Sequence, residues 1–291
     1  MRSCELDGEK VERVLTFSVH EAALRHKDRQ QYWVSIEKPE VNLQDVAESM
    51  TKKGGYWNEP ELRRKYAAKV CSVLRLLAKS LCHLHSRGVV HGDLCLDSCG
   101  KFDNTWKVLG RMEVQIIGEQ FDSSRFQQSF PPEALYSADQ DSTIYDSDTP
   151  PVFFRDSMIA DPSIDIWAFG KLAFEAVMGK PLVEFEAKKP SDDVVALLDI
   201  LEWNEGSMKS VFTELLEAGG IAESGAELFT SCLFPRPADR PASMEEILSH
   251  PFWKENQKTR DKTKKRIRRR NTDSISVFTE ASKSLFTETS D

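Results

Sequence analysis

The residues whose types and spacing come closest to chemistry lie at His91-Gly92-Asp93-Leu94-Cys95-Leu96-Asp97-Ser98. A histidine, one residue, an aspartate on a turn and then a short strand at Trp106-Lys107-Val108-Leu109 is the outline of a phosphotransfer loop. Phosphoryl transfer is mostly positioning and charge stabilisation, so a carboxylate at Asp93 would need a cation and metal ligands beside it. Several of the neighbours are neutral instead. A second chemistry is open on the same stretch, because Cys82, His83, His85, His91, Cys95 and Cys99 crowd together. Their spacing fits no Cys-x2-Cys zinc framework, and ordinary helix-end and loop positions account for them better.

A long helix precedes the loop. Leu62, Tyr66, Val70, Leu74, Leu77, Leu81 and Leu84 recur at spacings of four and three, which predicts one apolar stripe over 61–86, ended by Gly88. Upstream, Val11–Phe17 and Gln31–Glu37 are β-branched and aromatic runs that read as strands joined through His26–Arg29. Lys38-Pro39 ends the second, Asn42–Val46 opens a short helix, and Gly54-Gly55 breaks the chain again. Downstream, Ile116-Ile117-Gly118 starts a polar loop running to Pro131-Pro132-Glu133. Residues 136–163, with Asp139, Asp141, Asp146, Asp148 and Asp156 among Ser, Thr and Pro, read as an extended acidic surface loop. Helices are then expected over 164–178, stopped by Gly179-Lys180-Pro181, and over 192–203, 208–218, 222–233 and 243–249. Strands first and helices after predict an α+β architecture.

Composition agrees with a globular chain. Of 291 residues 40% are hydrophobic and 30% charged, and this length can bury a sizeable core. Met1–Lys10 carries no apolar h-region and no run approaches a membrane span, so a cytoplasmic or nuclear location is expected. Six scattered cysteines read as reduced thiols rather than a disulfide framework. The net charge of −8 is unevenly spread: from Lys254 onward eleven Lys/Arg face six Asp/Glu, which leaves −13 on residues 1–253. An acidic body argues against nucleic acid as the partner of the main domain.

Four motifs, in order, carry a family resemblance. His91-Gly92-Asp93-Leu94 resembles the H-R-D-L catalytic loop of protein kinases, and Pro131-Pro132-Glu133 the A-P-E that closes their activation segment. Asp165-Ile166-Trp167-Ala168-Phe169-Gly170 is similar to the D-x-W-S-x-G opening of their large buried helix. Cys232, Asp239-Arg240-Pro241 and His250-Pro251-Phe252-Trp253 resemble the C-terminal landmarks of the serine/threonine group. The resemblance implies a kinase-like domain over 11–253, with 11–38 a remnant of the small lobe and hinge and 39–253 a helical C-terminal lobe. It also implies that Glu133 pairs with Arg240, and that Asp165 braces the catalytic loop. An H-G-D-L loop occurs in small-molecule phosphotransferases too, but with a following Asn that Ser98 replaces, and the other three motifs favour protein kinases.

By the same resemblance Asp93 is the catalytic aspartate, in a loop degenerate at His91, Gly92, Cys95 and Ser98. Cys95 stands where a lysine meets the transferred phosphate. Ser98 and Gly110 stand at the two usual magnesium ligands; Asp97, Asp103 and Glu113 are the nearest carboxylates that could substitute. Gly92 replaces the arginine that receives an activation-loop phosphate, so Ser123, Ser124 and Ser129 lack that receptor. Glu37 and Lys38 enter the hinge, the one place left for a nucleotide contact. Ten residues precede Val11, and no G-x-G-x-x-G occurs in the chain, so the expected small lobe has about two strands. Either this lobe is reduced, or the reading frame starts late. The expectation is a catalytically impaired pseudokinase acting as a scaffold or allosteric partner of other proteins. The alternative is an active atypical serine/threonine kinase using ATP and Mg2+.

Residues 254–291 read as a basic, Ser/Thr-rich tail. Nine of the thirteen residues 258–270 are basic, a pattern for an import receptor, for an acidic surface, or for a solvated extension. Arg269-Arg270-Asn271-Thr272 resembles a basophilic kinase target, and Ser274, Ser276 and Thr279 follow it. Phosphates there would offset the block.

Overall fold

The computed structural model describes residues 18–20, 33–35, 38–52, 59–103, 105–109, 115–123, 129–137, 152–185 and 193–255. Strand β1 (Ser18–His20) pairs antiparallel with β2 (Trp33–Ser35). The second lies inside the expected run; the first begins just past Val11–Phe17, which falls outside the described residues. Strand β3 (Val41–Asn42) then leads into helix α1 (Leu43–Lys52), where the Asn42 Oδ1 accepts from the Asp45 N–H at 2.6 Å and so caps an orphan donor.

Helix α2 (Pro60–Ser86) is the predicted stripe. Proline at its first position is preorganised there, since that N–H has no intrahelical partner to lose. Tyr66, Val70, Leu74, Leu77 and Leu81 are buried, and the chain turns out of the helix at Gly88 with φ +75°. Strand β4 (Val89–Val90) carries it to His91, and a 3-10 turn at Leu96–Ser98 leads into the hairpin of β5 (Cys99–Phe102) and β6 (Thr105–Val108). Strand β3 adds to the outer edge of β5 to make a three-stranded sheet. Strand β7 (Gln115–Ile116) returns to pair with β4.

The two stretches expected as loops, the polar one from 116 to 133 and the acidic one over 136–163, contain strands instead. Strand β8 (Gln120–Phe121) pairs with β11 (Met158–Ile159), and β9 (Leu135–Ser137) pairs with β10 (Val152–Phe154), both antiparallel. Burial drives this. Val152 is 7% exposed, and the Phe154 ring meets buried Phe130 edge-on at 4.9 Å, so a three-residue apolar run holds a strand in place. Residues 138–151, with four of the five aspartates of that expectation, lie outside the described residues.

Helix α3 (Pro162–Met178) is buried along most of its length and is the centre of the core. Trp167 meets Trp203 edge-on at 5.5 Å, Phe169 meets Phe229 at 6.3 Å, and the Tyr66 hydroxyl donates to the Ala176 carbonyl at 2.8 Å. Burial pushes that phenol's pKa up. Gly170 lets α3 approach its neighbour closely: a Cβ there would lie 2.7 Å from the Cys232 Cβ. The remaining helices are α4 (Val194–Leu201), α5 (Glu205–Glu217), α6 (Glu223–Ser231) and α7 (Met244–Ser249). They start and stop within a few residues of the sequence reading. The ensemble is α+β, mostly helical with small sheets, and no described helix is long and apolar enough to cross a membrane.

Candidate functional site

The loop at 91–98 hangs from the first turn of α3. The carboxylate of Asp165, fully buried, accepts from the Gly92 N–H on Oδ1 at 2.9 Å and from the His91 N–H on Oδ2 at 2.7 Å. Its Oδ2 also lies 2.9 Å from Nε2 of His85, near the end of α2. A helix N-terminus favours negative charge, so Asp165 is stabilised where the loop needs an acceptor. Gly92 sits at φ +82°, a left-handed conformation that would cost a side chain about 1–2 kcal/mol. With glycine there, the loop turns without that cost.

His91 is 1% exposed and acts inward. Its Nε2 lies 2.9 Å from the Leu109 carbonyl, and its Nδ1 lies 3.3 Å from the Asp93 N–H. Both contacts are met by one neutral tautomer, with Nε2–H donating and Nδ1 accepting. The ring therefore ties the loop to the end of β6. Asp93 is also fully buried, and its Oδ1 accepts from the Ser129 N–H at 3.3 Å. The carboxylate faces the segment that leads into Pro131 rather than open solvent.

Ser98 and Cys95 close on each other. The Cys95 N–H donates to the Ser98 Oγ at 2.8 Å, and that hydroxyl donates to the Cys95 carbonyl at 2.8 Å. Ser98 is fully buried and Cys95 is 2% exposed. Cys99, on the same turn, sends its Sγ to the Cys95 carbonyl at 3.4 Å, and burial raises its thiol pKa. None of this suits magnesium, a hard octahedral cation that takes carboxylate and water oxygens. The hydroxyl at 98 is engaged in its own turn, and the thiol at 95 brings no positive charge to a phosphate. Among the described residues no three His, Cys, Asp or Glu side chains are grouped to hold a metal. Asp97 is half-buried and Asp103 is exposed at φ +44° in the β5–β6 turn. Gly110, Glu113 and Glu37 lie outside the described residues.

The thiol and imidazole crowd noted in the sequence is dispersed. Cys82 points to Glu245 on α7, its Sγ 3.0 Å from Oε1, and its pKa is pushed up to about 11 by burial and by that carboxylate. His85 meets Asp165, His91 meets Leu109, and Cys95 and Cys99 belong to the 3-10 turn.

On the hinge side Lys38 is exposed, while the two residues after it are clamped to β5. Glu40 donates its N–H to the Lys101 carbonyl at 2.9 Å, and its Oε2 receives the Lys101 Nζ at 2.9 Å. A Cβ at Gly100 would lie 2.7 Å from the Pro39 Cβ and 3.2 Å from Leu109 Cδ1, so these side chains rest directly on the strand.

Below the loop Glu133 and Arg240 form a two-pronged pair, Nη1–Oε1 at 2.7 Å and Nη2–Oε2 at 2.6 Å. The guanidinium side chain is fully buried and also donates to the carbonyls of Phe234, Ser163 and Pro235, with its plane 5.1 Å from the Trp167 ring. Such bidentate, charge-assisted bonds are the strong kind.

Two residues that sequence reasoning passed over belong to this neighbourhood. His85 is one, named only within the Cys and His crowd and not as a partner of Asp165; it stands four residues before the β-strand that leads into His91. Arg155 is the other: its N–H donates to the Ala134 carbonyl and its Nε to the Glu133 carbonyl, each at 2.9 Å, while its own carbonyl accepts from the Ser123 hydroxyl.

No family model matches the sequence, and no curated protein matches it significantly. The structure does match. A solved structure of the CAK complex from Chaetomium thermophilum bound to ATP-γ-S superposes with a TM-score of 0.54, covering 81% of this chain and 70% of that one, at 14% sequence identity. Identity this low speaks to architecture alone: the chain has a protein-kinase-like fold.

Proposed function

We propose that this chain is a pseudokinase, a protein-kinase-like module that acts by binding other proteins and not by transferring phosphate. One observation carries the reading: the groups at the chemical positions are turned into the protein. Asp93 is fully buried against the Ser129 N–H, and the Ser98 hydroxyl is engaged with the Cys95 backbone. Cys95 offers no cation for a phosphate, and Gly110 has no side chain to hold a metal. The retained parts, Asp165 under the loop and Glu133 on Arg240, brace the lobe whether or not chemistry occurs.

Retention of Asp93 is the observation that favours the second reading, an active atypical kinase with rearranged ligands. Two measurements separate them. The pseudokinase reading expects no magnesium-dependent rise in melting temperature with ATP, and no radiolabel transferred from ATP to protein. Transfer that Asp93→Asn abolishes would overturn it.

A further inference from the structure

The β9–β10 hairpin carries an apolar surface that neither the core nor the loop at Asp93 uses. Tyr136 and Phe153 are register partners with ring centroids 5.7 Å apart, 39% and 38% exposed. Helix α4 packs against both strands and adds Val194, 39% exposed, and Val195, 70% exposed. The exposed Tyr136–Phe153 pair, with exposed Val194 on the helix that packs against the same two strands, is apolar surface of the kind that marks contact sites. The hairpin is also anchored firmly, through Phe154 on Phe130 and through Arg155 on Glu133 and Ala134.

Negative charge lies beside the patch. Asp199 and Glu202 follow Val195 by four and seven residues, so they share its helix face, and both are exposed. Asp156, just past β10, is exposed as well. Arg155 is the one basic residue among the described residues of the hairpin and α4, and its Nε donates to the Glu133 carbonyl. An occupant that fits must bring apolar side chains together with positive charge.

This chain holds such a segment. Beyond Glu255, nine of the thirteen residues 258–270 are basic, and Ile275, Val277 and Phe278 follow. The 23 residues from Asn256 to Phe278 can span up to about 75 Å when extended, several times the radius of gyration of roughly 18 Å expected for a domain of this size. We propose that residues 258–278 dock in cis on the β9–β10 and α4 face. The basic block lies along Asp156 and the outward face of α4 with Asp199 and Glu202, and Val277 and Phe278 cover Tyr136 and Phe153. Tethering favours the contact, because a short linker holds a segment at millimolar effective concentration. Its electrostatic part weakens with salt.

Hydroxyl-radical footprinting of the full-length chain, read by mass spectrometry, tests this. A segment bound about nine-tenths of the time slows oxidation of Tyr136 and Phe153 about tenfold relative to the open surface. Protection is expected to vanish in the full-length variant with Lys264, Lys265, Arg266, Arg268, Arg269 and Arg270 all changed to Glu. It should fall sharply in the unmodified sequence at about 1 M salt, where the Debye length is about 3 Å. Phe278→Ser should remove part of it at low salt. Buried Tyr66 must stay slow throughout, which separates loss of docking from loss of fold. Equal oxidation of Tyr136 and Phe153 in all these samples overturns the proposal. So does protection that rises with protein concentration, because the occupant would then belong to a second copy.

Discussion

Two regions of the domain use polar groups in opposite ways. At Glu133 and Arg240 the main interactions reach across the sequence: the guanidinium joins Glu133 and Ser163 to its own neighbours Phe234 and Pro235, beside the Trp167 ring. At 95–98 the contacts are local, a thiol residue and a hydroxyl closing a turn three residues long. The first arrangement holds distant elements together. The second keeps its hydroxyl within one turn. Within one domain, different polar residues therefore do different work, some joining distant elements and some closing a single turn.

The contrast can be broken most forcefully at Arg240. Arg240→Ala leaves Glu133 without its partner and should lower the unfolding free energy by about 3–5 kcal/mol, measured by urea titration. A loss below about 1 kcal/mol would mean that the pair is no more structural than a surface bridge. Asp165→Ala comes next. It strands the N–H groups of His91 and Gly92, and a cost of about 3 kcal/mol is expected in the same titration. Ser98→Ala should cost only about 1–2 kcal/mol, as for loss of a local cap. Should Ser98→Ala cost as much as Arg240→Ala, the two regions would not differ in kind.

The smallest effect is kinetic and concerns Cys82. Its pKa is raised to about 11, and an acid with a raised pKa keeps its proton at neutral pH, so little reactive thiolate is present at pH 8. Iodoacetamide should label it slowly there, with the rate rising about tenfold per pH unit toward pH 11. Glu245→Gln removes the carboxylate that helps hold the proton, and should speed labelling at pH 8. Fast labelling of Cys82 in the unmodified chain would count against the Cys82–Glu245 contact. Buried Cys71 and Cys232, with pKa values pushed up to about 12, give the slow reference.

Much of this was legible in the residues because it rests on periodicity. The four-and-three spacing from Leu62 to Leu84 could fold in only one economical way, and the apolar run at 164–178 had to be central. The Glu133–Arg240 and Asp165 contacts followed from motifs. The hairpin at β9 and β10 did not, because Asp, Ser, Thr and Pro dominate any window over 136–163 and hide three-residue strands. What makes those strands is the tertiary contact of Phe154 with Phe130, from across the sequence. Within the loop, Cys95-x-x-Ser98 had the spacing of a capping box, and that reading would have turned the hydroxyl inward before any coordinates were known. The inward role of His91 had no comparable sequence signal, since Leu109 approaches it from the far strand of a hairpin.

Arg155 has a mechanical meaning beyond its three bonds. Ser123 grips its carbonyl, while Glu133 and Ala134 hold its side chain and its N–H, so one residue stitches both ends of the run that crosses Asp93 at Ser129. Because one residue makes all of these bonds, a substitution at Arg155 that unseats its backbone would release residues on both sides of Ser129 together.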